Sequence, residues 1–273
     1  MMASITYLRR RFLMSTPSFP VPALDFGIDA PGVRQMFLRI GGSALIVSLV
    51  LTYVRLPGPT WLILTMRAAI AIAACYGLGM AMYMTYGSRI GKVRTRDRLL
   101  RTIPWSGAEC VLDVGCGRGL MAIGAAQRVP HGEVIGIDLW SASDQTDNTP
   151  DAARENAHVA GVADRVRIDT GDMRALPYDA HSFDVVLSHW VVHNAAEATD
   201  RAQALSEMLR VLRPNGWLIL ADISYQAEYL ANLRAAGITD LREERRGIES
   251  AVIGCFSGNT FRPQAIIARK PAA

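Results

Sequence analysis

The sequence predicts a doubly wound α/β domain preceded by a helical hairpin, and three observations predict it. From residue 94 onward, short apolar runs that end in an acid alternate with stretches of helical periodicity. The first of these runs closes in VLDVGCGRG (Val111–Gly119), an aspartate followed by three glycines in five residues. Ahead of them stand two uncharged apolar segments, IGGSALIVSLVLTYV (Ile40–Val54) and AAIAIAACYGLGMAMYMTY (Ala68–Tyr86).

Bulk composition narrows the function classes. The chain has 273 residues, 50% hydrophobic and 20% charged, enough for one α/β domain and an appendage. Its 29 basic residues nearly balance 25 acidic ones, so it lacks the dense basic footprint of a nucleic-acid binder. Cys75, Cys110, Cys116 and Cys255 form no CxxC pair and no framework of regular spacings, which reads as reduced thiols in a cytosol-facing protein. No metal-ligating set is expected.

The hairpin comes first. A bilayer core takes about 20 helical residues. The second apolar segment fits, and Trp61–Met66 extends it upstream across Arg67. The first fits when Met36–Leu38 join it and Arg39 snorkels outward. RLPGPT (residues 55–60) between them forces a tight turn. Gly41, Gly42, Gly77 and Gly79 suit close helix packing. Arg9, Arg10, Arg11, Arg34 and Arg39 precede the pair, and Arg89, Lys92, Arg94, Arg96, Arg98 and Arg101 follow it, against Arg55 alone in the turn. Both ends are therefore expected in the cytoplasm, with a catalytic domain on the cytoplasmic face of the cell inner membrane. The alternative is a hairpin packed on the soluble domain. The expected organisation is a tail over residues 1–35, the hairpin over 36–86 and the α/β domain over 87–273. The tail does not read as a signal peptide, because Pro17, Pro20 and Pro22 follow its arginines. Met14 is an alternative start.

The body then reads in order. RTRDRLLRTI (94–103) is a short amphipathic helix. Cys110–Val114 is the first strand and Leu120–Arg128 the helix after the glycines. Val134–Asp138 is the second strand. Asp151–Ala160 is helical, with Thr149 as N-cap and Pro150 in the first turn. Val166–Asp169 and Val185–His189 are the third and fourth strands. Arg201–Leu212 is an amphipathic helix expected to stop at Pro214-Asn215-Gly216, before the fifth strand, Trp217–Asp222. Tyr225–Ala236 is a helix ending at Gly237, and Leu241–Arg245 and Ala265–Arg269 are late strands, an antiparallel pair at the sheet edge. In such sheets ligands sit beyond the carboxyl ends of the strands, so Asp113, Asp138, Asp172, His189 and Asp222 are the positions to weigh.

Bare backbone at Gly115 and Gly117 lets a ligand approach the main chain. A dinucleotide fingerprint would need G-x-G-x-x-G, but here the third glycine arrives one residue early and Leu120 stands where that pattern expects glycine. Asp113, two residues before the first glycine, would repel a pyrophosphate and suit a cation. Asp138 can accept both hydroxyls of a ribose, a dinucleotide's adenosine ribose included, and Asp172 in TGDM can accept from an adenine amine; the structural alternatives are a cap on the following loop for Asp138 and a turn residue for Asp172.

Taken together, VLDVGCGRG, VIGIDLW, TGDM, FDVVLSHWVVHN and LRPNGWLILAD, in that order, resemble the class I S-adenosylmethionine-dependent methyltransferases over about residues 93–270. The resemblance implies a Rossmann-like seven-stranded sheet with an antiparallel last strand, and S-adenosylmethionine as cofactor. It places Gly115, Gly117 and Gly119 along the methionine part, with Cys116 among them as a small filler. It puts Asp113 near the amino group, Asp138 on the ribose, Asp172 on the adenine amine, Leu139 and Met173 beside the ring, and Ser188 at the end of the fourth strand. The acceptor would face His189, Trp190, His193 and Asn194. Either histidine, with Asn194 beside them, is a candidate for proton transfer or positioning; the structural alternative is a hydrogen-bonded core histidine and a helix-start histidine. Asp222 is a further pocket candidate.

The expected function is membrane-anchored methyl transfer to a small or lipidic acceptor: a thiol, a quinone or phenol, or an amine. The cysteines do not form an arsenic-binding set. No Asn-Pro-Pro-Tyr-type motif follows the fourth strand, where the residues are Ser188-His189-Trp190-Val191, which argues against amide methylation of macromolecules. The alternatives are a nicotinamide-dinucleotide oxidoreductase and a non-catalytic cofactor-binding membrane protein. Trp140–Thr149 (WSASDQTDNT) is longer and more polar than an ordinary strand-to-helix turn and is expected to be a solvated loop, the alternative being a cover for the adenosine or the acceptor pocket.

Overall fold

Apolar, uncharged sequence makes the first two helices of the computed structural model, which describes residues 24–141, 144–245 and 264–272. Helix α1 spans Pro31–Tyr53 and α2 spans Thr60–Tyr86. Proline at the first position of α1 suits a helix start, where its missing N–H costs nothing. The two helices cross backbone to backbone. A Cβ on Gly41 would lie 2.6 Å from the Leu78 nitrogen, and one on Gly77 would lie 2.7 Å from the Gly41 Cα. Only bare backbone allows that approach. Gly42 and Gly79 meet nothing within 4 Å, so the packing role expected of four glycines belongs to two. The arginines at 9–11, Met14 and Cys255 lie outside the described residues.

Two expected boundaries move. Helix α1 begins at Pro31, inside the expected tail. Helix α2 does not stop at Tyr86. It runs through a π turn, Gly87–Gly91, into α3, Lys92–Leu100, so hairpin and body share one continuous helix. The basic composition after Tyr86 signals a change of surroundings, not a change of backbone.

The body alternates as expected: β1 (Cys110–Val114), α4 (Leu120–Ala126), β2 (Glu133–Asp138), α5 (Pro150–Val159), β3 (Val166–Thr170), β4 (Phe183–His189), α6 (Ala198–Val211), β5 (Leu212–Asp222), α7 (Gln226–Ala235), β6 (Asp240–Arg245) and β7 (Gln264–Arg269). The sheet order is β3-β2-β1-β4-β5-β7-β6. Strands β1 to β5 are parallel, and β7 lies antiparallel between β5 and β6. The expected seven-stranded sheet with an antiparallel last strand is therefore present. Thr149 caps α5 as expected, its side chain accepting from the Ala152 amide. Helix α6 ends at Val211, and Pro214-Asn215-Gly216 sits inside β5 rather than stopping the helix. The irregular stretch is tied to β7, where the Lys270 amide donates to the Gly216 carbonyl and the Asn215 amide to the Lys270 carbonyl.

Period-two alternation divides the core between the two faces of the sheet. Val111, Val185 and Ile219 pack with Leu99, Met121 and Ile123 of α3 and α4. Leu112, Val186 and Leu220 pack with Leu205, Met208 and Tyr229 of α6 and α7. Strand order reverses between β1 and β4, and in doubly wound sheets ligands bind beyond the carboxyl ends at that point.

Candidate functional site

Four strand ends and one glycine turn build the site. Asp113 near the end of β1 is 1% exposed. One carboxylate oxygen accepts from the Ala122 amide of α4 at 2.8 Å, while the other is buried without a hydrogen-bond partner. Burial lifts its carboxyl from the ordinary carboxylate range to about 7, with the neighbouring Asp138 adding to the shift.

The sign of the linkage follows. Asp113 binds its proton more tightly folded than unfolded, so it favours the fold below the unfolded value and loses that contribution as pH rises towards about 7. Between about pH 4 and 7 its share of ligand-free stability should fall by about 1.4 kcal/mol per pH unit. Denaturant unfolding at pH 5 and pH 8, compared between wild type and Asp113→Asn, measures it. An equal pH dependence in both proteins would remove Asp113 as its source.

The glycine turn follows β1. Gly115, Gly117 and Gly119 all have positive φ, at 70°, 51° and 83°. At Gly115 the bare position serves Val191, whose side chain lies 2.4 Å from where a Cβ would stand. Above Gly117 the neighbour is the Gln145 amide oxygen, at 2.9 Å. Cys116 is buried beneath the turn, against Gly136, and burial pushes its thiol well up, as suits a small filler.

Asp138 ends β2 and braces the same turn. Its carboxylate accepts from the Gly117 amide at 2.8 Å, the Trp140 amide at 2.7 Å and the Asn148 side chain at 3.4 Å. A carboxylate offers about four lone-pair directions, so room for a ligand hydroxyl remains. Asp172 is engaged differently from expectation: Arg174 grips both of its oxygens and holds its carboxyl below the usual range. Met173 packs at the edge of the α6 side of the core, and Leu139 is 60% exposed. The Ser188 hydroxyl is fully buried with no hydrogen-bond partner.

Past β4 the chain makes a left-handed turn at Trp190 and one 3-10 turn, Val192–Asn194. His189 stacks on Trp190, ring centroids 4.9 Å apart. Of the two histidines, His193 is the one that faces a buried carboxylate. Its Nδ1 lies 2.5 Å from a carboxylate oxygen of Asp222, which is completely buried at the end of β5. The same carboxylate accepts from the His193 and Ile223 amides and from the Tyr229 hydroxyl. Burial pushes the Tyr229 phenol up, which keeps it a donor. With a carboxylate facing Nδ1, the hydrogen belongs on Nδ1 and the lone pair on Nε2.

The loop expected to be solvated is built into the site instead. Asn148 is buried, Trp140 donates to Thr170 Oγ1, and Asn194 donates to the Asp144 carboxylate. Its partner is a segment that sequence reasoning missed, the strap Leu24–Ala30 ahead of α1. Asp29 and Gln145 form an antiparallel bridge, the Thr146 amide donates to the Ile28 carbonyl, and the Ala30 amide to the Asp144 carbonyl. Arg118 of the glycine turn reaches the Asp25 carbonyl and carboxylate. The only sequence signal was the unusual polarity of the loop; the strap carries no periodicity. The unpaired Asp113 oxygen and the spare capacity of Asp138 fit a cationic nucleoside such as S-adenosylmethionine.

Comparison with known proteins agrees with this geometry. Residues 112–220 match the family model described as a methyltransferase domain. The 27-O-demethylrifamycin SV methyltransferase of Amycolatopsis mediterranei is 35% identical over 169 residues, which is 62% of this chain and 56% of that protein. The demethylmenaquinone methyltransferase of Deinococcus radiodurans is 38% identical over 158 residues, 58% of this chain and 60% of that protein. The chain spans about half the length of the curated relatives it matches. Among solved structures, the cyclase SpnF superposes with a TM-score of 0.52 at 21% identity, covering 66% of this chain and 82% of that one. Geranyl diphosphate C-methyltransferase from Streptomyces coelicolor A3(2) gives 0.52 at 17% identity, covering 65% and 75%. These likenesses establish the Rossmann-like fold. A cyclase among them means that the fold alone does not dictate methyl transfer.

Proposed function

We propose that this chain, which carries a methyltransferase domain, is a membrane-anchored S-adenosylmethionine-dependent methyltransferase acting on a small, apolar or lipidic acceptor. The observation that carries the reading is the convergence of Asp113, Asp138 and the glycine turn, all within the residues that match the methyltransferase family model. Two of the relatives suggest the acceptor class, being named for a demethylated rifamycin and for demethylmenaquinone.

When bound, S-adenosylmethionine supplies a methyl group on a cationic sulfur. Asp113 offers its unpaired oxygen to the positive end of that ligand, and Asp138 offers the remaining lone pair to a hydroxyl. His193 Nε2 takes a proton from the acceptor, and Asp222 holds the ring in the tautomer that can do so. Asp138→Ala should weaken S-adenosylhomocysteine binding by about 1–3 kcal/mol, since it leaves buried donors unpaired. Isothermal titration reads this directly, and unchanged affinity would remove Asp138 from the site.

Support for membrane anchoring comes from α1 and α2, long enough to cross a bilayer and with 6% and 11% of their most apolar windows buried. Trp61, Ile72 and Met82 on α2 are exposed among the described residues. The root of the hairpin also adjoins the acceptor side. Ala30, one residue before α1, is bonded to Asp144, and Asp144 accepts from Asn194 beside His193. An acceptor dissolved in the bilayer would meet the site at its rim. The test supplies labelled S-adenosylmethionine and separate pools of membrane lipids, quinols, thiols and amines. Label in a nonvolatile, lipid-soluble product supports the reading; a volatile product points to a small thiol, and no transfer to any pool counts against methyl transfer.

A further inference from the structure

The strap and the loop do more than cover the site, because one side chain between them stands on the ligand side of the glycine turn. Gln145 Oε1 accepts from the Arg118 amide at 3.1 Å and lies 2.9 Å from a Cβ built on Gly117. Its Nε2 donates to Asp29 Oδ1 at 3.1 Å. Asp29 in turn pairs with the buried ammonium of Lys92 on α3, and its amide donates to the Ser88 hydroxyl in the π turn. Glycine turn, Gln145, Asp29 and the helix rising into the hairpin thus form one bonded series.

We propose that Gln145 is a built-in competitor for the cofactor side of the glycine turn, and that its release links cofactor binding to the strap that roots the hairpin. The inference rests on the cofactor reading above. The bare face of Gly117 is of use only to a group that approaches closely, and in this structure the approaching group is Gln145. A ligand that takes the turn must displace that amide, and the displaced amide loses its place beside Asp29. The strap then keeps its ion pair but gives up a tie to the loop. Binding is weakened by the fraction of molecules in which Gln145 holds the turn.

The test uses the full chain in lipid nanodiscs and S-adenosylhomocysteine as the probe. Gln145→Ala and Gln145→Met are titrated calorimetrically beside wild type. Alanine removes both the hydrogen bonds and the bulk, whereas methionine removes only the hydrogen bonds. The expected result is three- to tenfold tighter binding by the alanine variant, about 0.7–1.4 kcal/mol, with a smaller gain for methionine. In wild type, saturation with the probe should speed hydrogen exchange at the amides of Ala30 and Thr146, which bridge strap and loop. Weaker binding by Gln145→Ala would make Gln145 a ligand of the cofactor and overturn the proposal. Equal binding, or slower exchange at Ala30 and Thr146, would overturn it too. Binding by the alanine variant but not by wild type would be its strongest support. No binding by either protein would retire the cofactor reading itself, and this proposal with it.

Discussion

His193→Gln is expected to lower kcat/KM by about 10²- to 10⁴-fold, the range for loss of a positioned general base. Affinity for S-adenosylhomocysteine should stay within about threefold, because no glycine-turn contact involves this ring. Glutamine keeps a donor near the Asp222 carboxylate but has no lone pair where Nε2 stood. Asp222→Asn makes a complementary test. It leaves His193 in place but presents an amide to a ring nitrogen that now donates to a carboxylate at 2.5 Å. The ring loses the partner that fixes its tautomer, and kcat should fall by about 10²-fold or more. Asp222 also accepts from Tyr229 and two backbone amides, so the asparagine variant needs a folding control by near-ultraviolet circular dichroism. Undiminished turnover in both variants would mean that the acceptor arrives already deprotonated and His193 is a structural residue.

Lys92→Met should cost the chain about 2–4 kcal/mol of stability, as expected when one partner of a buried ion pair is removed. Lys92 is 2% exposed, and its ammonium spends every donor inside the protein. It donates to the Phe26 carbonyl at 2.6 Å, the Gly27 carbonyl at 3.0 Å and the Asp29 carboxylate at 3.0 Å. Methionine matches its length and leaves two carbonyls and one carboxylate short of a donor. Burial holds the ammonium pKa below its ordinary value, against the opposing pull of Asp29. Thermal unfolding in detergent measures the loss, and limited proteolysis should show new cleavage at the strap. The double variant Lys92→Met/Asp29→Asn should recover part of the stability, since it no longer leaves a half-buried carboxylate without its cation. A single variant as stable as wild type, with an intact strap, would show that the strap is held by its backbone bonds alone.

How far the sequence carried differs by element, for physical reasons. Strands β1 to β5 were legible because each is a short apolar run, and β1, β2 and β5 end in or beside an acid at the ligand crevice. The cap at Thr149 was legible because a hydroxyl followed by proline has a local cause. Asp113 and Asp138 stood out as candidates because each is an acid at or next to the end of an apolar strand. The strap was not. Asp25, Phe26 and Asp29 act through partners such as Asn156, Lys92 and Gln145, 63 to 131 positions away, which no local pattern records. Nor was the packing of Val191 over Gly115, which depends on β1 and β4 lying side by side in the sheet. The grip of Arg174 on Asp172 is local, two residues apart, but nothing in the sequence decides between a neighbouring guanidinium and a ligand amine as the partner of that carboxylate.

The unbroken helix from Thr60 to Leu100 has a consequence for how such a protein meets its acceptor. Were α2 seated in a bilayer, as proposed above, the body would be tied to it by continuous helix and braced by the strap on a second side. The strand ends that carry the candidate site would then keep one height above the lipid, and encounters would become a matter of lateral diffusion in two dimensions. Molecules partitioned into that layer would be met at their surface density, while the same chemistry free in water would first have to find a site that always looks the same way.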